Sequence, residues 1–293
     1  MKFDRSLEAS PGVDVRLSPL VSRVLAPNPG PFTFKGTGVY ILGAGTAVMV
    51  IDPGPLLPDH IEALKRAIAP RQVSHILVTH THRDHSPAAA ALKAFSGAKT
   101  YGLPLAFRSA PLAPDEGAAD EAHDHDFVPD VMVHDGMRVP GDGFELECVA
   151  TPGHTANHIC YALKNERALF SGDHVMGWST SVIAPPDGDM GAYLASLEKL
   201  KVRDDRILYP THGSPIVNPR DWIGQLIAHR HRREDQIRAA LSHHAQNVAE
   251  LVEALYPEIE PALRPAAAQQ ILAHLHHMQT RGEVVTENGV WCR

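Results

Sequence analysis

The chain is poor in cysteine, in long apolar runs and in basic residues toward its C-terminus, and each shortage removes a class of protein. Cys148, Cys160 and Cys292 form an odd, widely spaced set. They make neither a disulfide framework nor a thiolate metal site, so buried free thiols are the reading that remains. No stretch approaches the roughly 18 uninterrupted apolar residues of a membrane span. The opening MKFDRSLEASPGVDVRLSPL holds no apolar run of signal-peptide length. A cytoplasmic protein with no membrane partner is the expectation. From Asn247 onward there are only three basic residues, Arg264, Arg281 and Arg293, against six glutamates. A domain built to grip phosphates needs a basic stripe, because neutralising phosphate charge supplies most nucleic-acid affinity.

What is present is an ordinary globular chain of 293 residues, 44% hydrophobic, enough for one large domain and a small appendage. The net charge of −7 is local, since Pro104 to Asp135 alone carries eight acidic residues against Arg108. That stretch is rich in Pro and Ala with few large apolar residues, and reads as a long loop with at most one helical turn. An acidic loop tolerates a small substrate better than a polyanion.

Along the chain, VDVRL, VSRVLA, TGVYILG and TAVMVID are short β-branched runs separated by Pro, Asn and Gly. A helix is expected over Asp59–Ala69, with Asp59 as N-cap and Pro70 closing it. HILVTH reads as a buried strand, and Ser86-Pro87 as the N-cap and first residue of a second helix ending near Gly97. Further strands are expected at KTYGL, VMVHD, FELECVAT, HICYALK, RALFSGD and RILYPTH, with a helix around Ala192–Lys201. Strand runs in two halves, each with its own helices, suggest two face-to-face sheets with helices outside. Residues 1–218 form this catalytic unit, 219–246 a long connecting helix opened by Pro219, and 247–293 two apolar-periodic helices and an Asn-Gly hairpin. That last arrangement is winged-helix-like.

The strongest chemical signal is Thr79-His80-Thr81-His82-Arg83-Asp84-His85, four metal donors in six residues directly after an apolar strand. In extended backbone alternate residues project to one side, so His80, His82 and Asp84 can converge, and His85 can turn toward a neighbouring ion. Imidazole nitrogen and carboxylate oxygen suit zinc and similar borderline metals. TPGHT, SGD and PTHG then place His154, Asp173 and His212 each after an apolar strand on a small-residue turn.

THTHRDH, TPGHT, SGD and PTHG in this order, with IDPG before them, resemble the metallo-beta-lactamase superfamily from about Val13 to Asn218. The resemblance implies an α/β fold, an αββα four-layer sandwich with two divalent metal ions, zinc by preference, at one edge between the sheets. It implies that His80, His82 and His154 hold the first ion, that Asp84, His85 and His212 hold the second, and that Asp173 bridges them. A hydroxide shared by the two ions would be the nucleophile. Asp84 would help orient it. His158 would contact substrate or donate a proton, with a structural hydrogen bond as its competing role. Asp52 would orient a ligand from behind, with a strand-end turn as the alternative.

Asp173 narrows the chemistry, because true zinc beta-lactamases typically have Cys or Ser there, whereas members acting on thioesters and phosphodiesters have Asp. The C-terminal third resembles the branch of beta-lactamase-like protein 2, whose animal members cleave single-stranded RNA. The charge count pulls away from RNA and toward a small-molecule ester or thioester. It leaves the C-terminal domain to close the site or to form a homodimer contact. Arg230, Arg232, Arg233 and Arg238 are the one basic cluster, on the long helix, where Glu234 and Asp235 are available as partners. A non-enzymatic ligand sensor of the same fold is the third reading, and the complete set of seven donors argues against it. The remaining histidines, among them His123, His125, His243, His244, His274, His276 and His277, read as loop or helix-surface residues.

Overall fold

Seven short runs pair in order to make the first sheet: β1 (Asp14–Arg16), β2 (Val21–Leu25), β3 (Gly38–Leu42), β4 (Ala47–Ile51), β5 (Gln72–Leu77), β6 (Lys99–Gly102) and β7 (Val131–Met132). The pairings are antiparallel up to β4 and parallel beyond it. The second sheet holds β8 (Arg138–Pro140), β9 (Glu145–Ala150), β10 (Ile159–Leu163), β11 (Ala168–Gly172), β12 (Ile207–Pro210) and β13 (Ile216–Val217), ordered β13-β12-β11-β10-β9-β8. The computed structural model describes residues 1–105 and 123–293, and the expected loop around Asp115, Glu116, Asp120 and Glu121 lies outside the described residues.

Alternation of side chains generates the layers. Tyr40, Leu42, Met49 and Ile51 face the second sheet and pack with Leu146, Ile159, Tyr161 and Phe170. Their neighbours Val39, Ile41, Val48 and Val50 face outward against α1 (Pro58–Ile68) and α2 (Ala88–Ser96) through Leu64, Ile68 and Leu92. On the second sheet, Cys160, Ala162 and Leu169 face α3 (Met190–Lys201) and α4 (Pro219–Leu241). Period-two strands buried on both faces therefore yield four layers, helix, sheet, sheet, helix.

The chain after α4 forms β14 (Gln246–Asn247), α5 (Val248–Leu255), α6 (Arg264–Thr280), β15 (Val285–Glu287) and β16 (Val290–Cys292), the strands pairing as β14-β16-β15. Asn247 and Glu250 form a reciprocal capping box at the start of α5. The hairpin turns through Asn288 and Gly289, both at positive φ (50° and 78°), which is the geometry an Asn-Gly pair favours. Ile237 and Leu241 of α4 pack with Leu251, Ile271, Leu275 and Trp291, so α4 runs from one core into the next. No helix among the described residues is long and apolar enough to cross a membrane.

Local details depart from the sequence expectations. Pro58 is the first residue of α1, so Asp59 sits in its first turn rather than at the cap. Ser86 does not cap α2; its hydroxyl donates to Asp124 (2.6 Å), Pro87 occupies the cap position and the helix begins at Ala88. The edge strands β8 and β13 are three and two residues long, too short to show a period in sequence.

Candidate metal centre

The site forms where strands of the two sheets end side by side. At the end of β4 the chain turns through Asp52, a non-glycine residue at φ 49°, a conformation that costs energy and is kept where surroundings enforce it. Those surroundings are four donors. Thr79 N (2.7 Å), Thr79 Oγ1 (2.8 Å), Thr211 Oγ1 (3.2 Å) and His85 Nδ1 (3.0 Å) all give hydrogen bonds to the Asp52 carboxylate. One buried side chain thus ties the ends of β4, β5 and β12 together.

Hydrogen bonds on the far side of each imidazole then decide which nitrogen faces the centre. The Asp52 carboxylate can only accept, so His85 holds a proton on Nδ1, and as a neutral ligand it would turn the Nε2 lone pair inward. His154 Nδ1 donates to Val182 O (2.6 Å) and His212 Nδ1 to Gly36 O (3.1 Å), with the same result. Thr79 Oγ1 gives its hydrogen to Asp52, so His80 Nδ1 donates to Thr79 Oγ1 (3.0 Å), and its Nε2 is bare as well. His80 Nε2 lies 2.9 Å from His82 Nδ1, which lies 3.2 Å from His154 Nε2. A proton on His82 Nδ1 can serve one of its two bare neighbours, and a metal ion can serve all three nitrogens at once. Two ligands about 2.0–2.1 Å from a tetrahedral zinc stand about 3.3 Å apart, close to the spacing seen. The residues present fit a metal.

Among the described residues, three groups offer ligand atoms within 4.8 Å of one another: His80, His82 and His154; His80, His85 and Asp173; and Asp84, His85 and His212. Asp173 Oδ2 lies 3.5 Å from His85 Nε2 and 3.4 Å from His212 Nε2, while its Oδ1 is buried with no partner among the described residues. Asp84 Oδ2 lies 3.2 Å and 3.1 Å from the same two nitrogens and accepts from Thr37 Oγ1 (3.0 Å). Electrostatics separate the two ends. Burial and neighbouring imidazoles push His80, His82 and His154 below the ordinary histidine range, so these rings stay neutral ligands. Burial also works against charge on His85 and His212, but the adjoining carboxylates of Asp84 and Asp173 outweigh it. They raise His85 well up and His212 to about 10. That end calls for positive charge, which a proton or a metal ion can supply.

Two glycines shape the turns. A Cβ on Gly153 would fall 2.3 Å from the Tyr193 backbone at the start of α3, and one on Gly172 would fall 2.5 Å from His158 Nε2. His158 itself is 1% exposed, with Nδ1 bonded to Thr151 Oγ1 (2.8 Å) and its ring 5.2 Å from that of His80. Buried beneath the ligands, it presents no face to a substrate, and this placement favours the structural role over the catalytic one.

Other residues at the site gave no sequence signal. His123, beside His82 (rings 5.0 Å apart), faces Asp187 at 3.6 Å, and Asp187 also accepts from Ala156 N (3.2 Å). Asp187 sits in a Pro-Gly turn indistinguishable from an ordinary loop. His274, expected on a helix surface, is fully buried between α6 and α4, 3.6 Å from Glu234. Arg230, expected in a surface cluster, is 2% exposed and donates to Ser181 O (2.6 Å).

Residues 33–212 match the metallo-beta-lactamase superfamily, and residues 248–291 match the beta-lactamase associated winged helix domain. The chain belongs to the metallo-beta-lactamase superfamily. Among relatives of this superfamily hydrolase is a beta-lactamase-like protein 2 homolog of Caenorhabditis elegans. It is 33% identical over 260 residues, which cover 87% of this chain and 83% of the nematode protein. An atrochrysone carboxyl ACP thioesterase of Paecilomyces divaricatus is 35% identical over 229 residues, covering 77% of this chain and 66% of that protein. One of Aspergillus fumigatus is 34% identical over 266 residues, covering 86% and 78%. In fold, the chain is similar to a metallo-beta-lactamase family protein of Thermus thermophilus. The TM-score is 0.80 at 23% identity, over 95% of this chain and 100% of that one.

Proposed function

We propose that this metallo-beta-lactamase superfamily hydrolase uses two zinc ions to cleave a small-molecule ester or thioester. The observation that carries the reading is the meeting of seven buried donors in adjoining groups that share His80 and His85, with Asp173 between them. In this reading His80, His82 and His154 hold one ion, Asp84, His85 and His212 the other, and Asp173 spans both. When bound, such a pair supplies an acidified water and polarises the carbonyl under attack.

The chain's own residues set the geometry. Asp52 keeps His85 in the tautomer that leaves Nε2 free, and Thr37 fixes the rotamer of Asp84. The Asp84 oxygen not held by Thr37 is available to accept a hydrogen bond from the attacking water and aim it. An apolar cavity of about 450 Å³ between Pro185, Pro186 and Met190 on one side and Leu272, Ala273 and His276 on the other lies along the segment that carries Asp187.

Charge supports a small substrate over RNA. Arg230 is buried, Arg238 pairs with Asp235 and Glu283, Arg281 with Glu234 and Glu283, and Arg233 lies over Tyr256. Such arginines are engaged within the protein and are poorly placed to neutralise phosphates. Relatives named as ACP thioesterases make an activated thioester the first compound to try. The test is parallel turnover by zinc-loaded protein of a glutathione thioester, a chromogenic lactam, bis(4-nitrophenyl) phosphate and a single-stranded RNA. The thioester is expected to give the highest kcat/KM, with about two zinc ions per chain by elemental analysis. RNA cleavage more efficient than thioester hydrolysis would overturn the substrate class.

A further inference from the structure

Between β11 and α3 the chain passes Ser181, Val182 and Ile183, and their backbone groups connect His154 to the C-terminal helices. Val182 O accepts from His154 Nδ1 (2.6 Å). The N–H of that same peptide group, on Ile183, donates to Gln270 Oε1 of α6 (3.3 Å). The preceding carbonyl, Ser181 O, accepts from Arg230 Nη2 of α4 (2.6 Å). A backbone N–H can only donate, so the Gln270 amide must turn its oxygen to Ile183. Gln270 is 8% and Arg230 2% exposed, and both keep a buried nitrogen without a partner among the described residues, Nε2 and Nε. Burying such side chains incompletely satisfied is costly, and apolar residues of the same shape would fill the space more cheaply. The hydrogen bonds they do make go to the segment that aims His154.

We propose that Gln270 and Arg230 are positioning residues for His154, so that the C-terminal domain orients a metal ligand of the catalytic domain through the peptide between Val182 and Ile183. The proposal rests on the reading of His154 as a ligand. An acceptor on the N–H side of a peptide polarises it and strengthens the hydrogen bond its carbonyl accepts. A stronger bond to Nδ1–H fixes the ring and makes Nε2 a better donor to metal. The two helices act as one support. Arg230 stacks on Tyr193 at 5.1 Å, and Glu234, one turn further along α4, accepts from His277 and Arg281 of the α6 end at 2.8 Å each. This gives an acidic winged-helix domain a role that needs no nucleic acid.

The test compares Gln270→Leu, which removes the acceptor at similar volume, with Gln270→Glu, which keeps it. Zinc affinities are read by competition titration, and site geometry by the visible absorption of the cobalt-substituted protein. Gln270→Leu is expected to weaken one of the two zinc sites by about 10–100-fold, alter the cobalt spectrum and lower kcat more than it raises KM. Its metal-free fold by circular dichroism should be unchanged, and Gln270→Glu should restore affinity and spectrum. Gln270→Asn, which withdraws the amide by one methylene, carries the same expectations if the leucine variant does not fold. A folded Gln270→Leu or Gln270→Asn protein with wild-type zinc affinities and cobalt spectrum overturns the proposal. His154→Ala separates this from the site reading. Loss of one zinc site in that variant supports His154 as ligand, and two intact sites would sink the site assignment itself.

Discussion

Replacing Asp52 by asparagine tests whether a residue outside the ligand set governs metal binding through a proton position. The backbone at Asp52 is left-handed, φ 49°, and asparagine tolerates that conformation better than other side chains, so the turn survives. The amide oxygen must stay on Thr79 N, because an NH₂ there would face another donor. The NH₂ then replaces the oxygen that accepted from Thr79 Oγ1, Thr211 Oγ1 and His85 Nδ1. The two hydroxyls can rotate to accept. The imidazole can accept only by moving its proton to Nε2, the atom aimed at Asp84 and Asp173. Loss of one charge-assisted hydrogen bond costs about 1.5–3 kcal/mol of stability, which a domain stable by about 5–15 kcal/mol survives. The metal consequence is larger in kind, since a protonated Nε2 is no ligand. Asp52→Asn should therefore fold, bind about one zinc per chain tightly, bind the second at least about 10–100-fold more weakly, and lose most turnover. Zinc titration monitored by competition dye, with melting of the metal-free protein as the fold control, reads both effects. A folded variant binding two zinc ions with wild-type affinity would refute the tautomer argument.

Other outcomes follow from the same geometry. Asp173→Ala should weaken zinc binding and cut turnover at least about 100-fold; metal analysis and kinetics check it. His212 is raised to about 10 in the metal-free protein, above the ordinary value of about 6.5. Its contribution to stability is thus complete below about pH 6.5 and lost as pH climbs through about 10. The melting temperature of the metal-free protein should fall across that window, and zinc should flatten the fall. Zinc uptake near pH 7.5 should also release about two protons, from His85 and His212, measured by calorimetry in buffers of different ionisation heat. Binding of single-stranded RNA by full-length Asp84→Asn protein with metal present should be weak, with a salt slope well below that of a protein making about 6–10 phosphate contacts. A steep slope that vanishes on removal of residues from Asn247 onward would contradict the charge reading.

The fold was largely legible because both sheets are covered on both faces, so their strands read as β-branched runs and their order follows the chain. What escaped was short or tertiary. The edge strands β8 and β13 carry too few residues for a period, and Ser86 is drawn from its capping role by Asp124, a partner far along the chain. The donor positions stood out because four fall within six residues directly after an apolar strand, and the other three each follow an apolar strand on a small-residue turn. Asp187, Gln270 and Arg230 did not, because their roles arise only where separate segments pack, and an arginine in HRHRRED looks solvated until the segment from Ser181 covers it. For His158 the two readings stayed open in sequence, since nearness to His154 says nothing about which way a buried ring faces.

The donors come from both sheets: His80, His82, Asp84 and His85 follow β5, while His154, Asp173 and His212 follow strands of the second sheet. A chain still emerging from the ribosome has the first four long before the rest, and cannot complete the His80, His82 and His154 group until His154 has docked, nor the Asp84, His85 and His212 group until His212 has. Metal acquisition is thereby tied to completion of the sandwich. A zinc ion captured early by the THTHRDH segment would be held loosely and exchange freely, and tight retention would mark a molecule whose two halves have already closed.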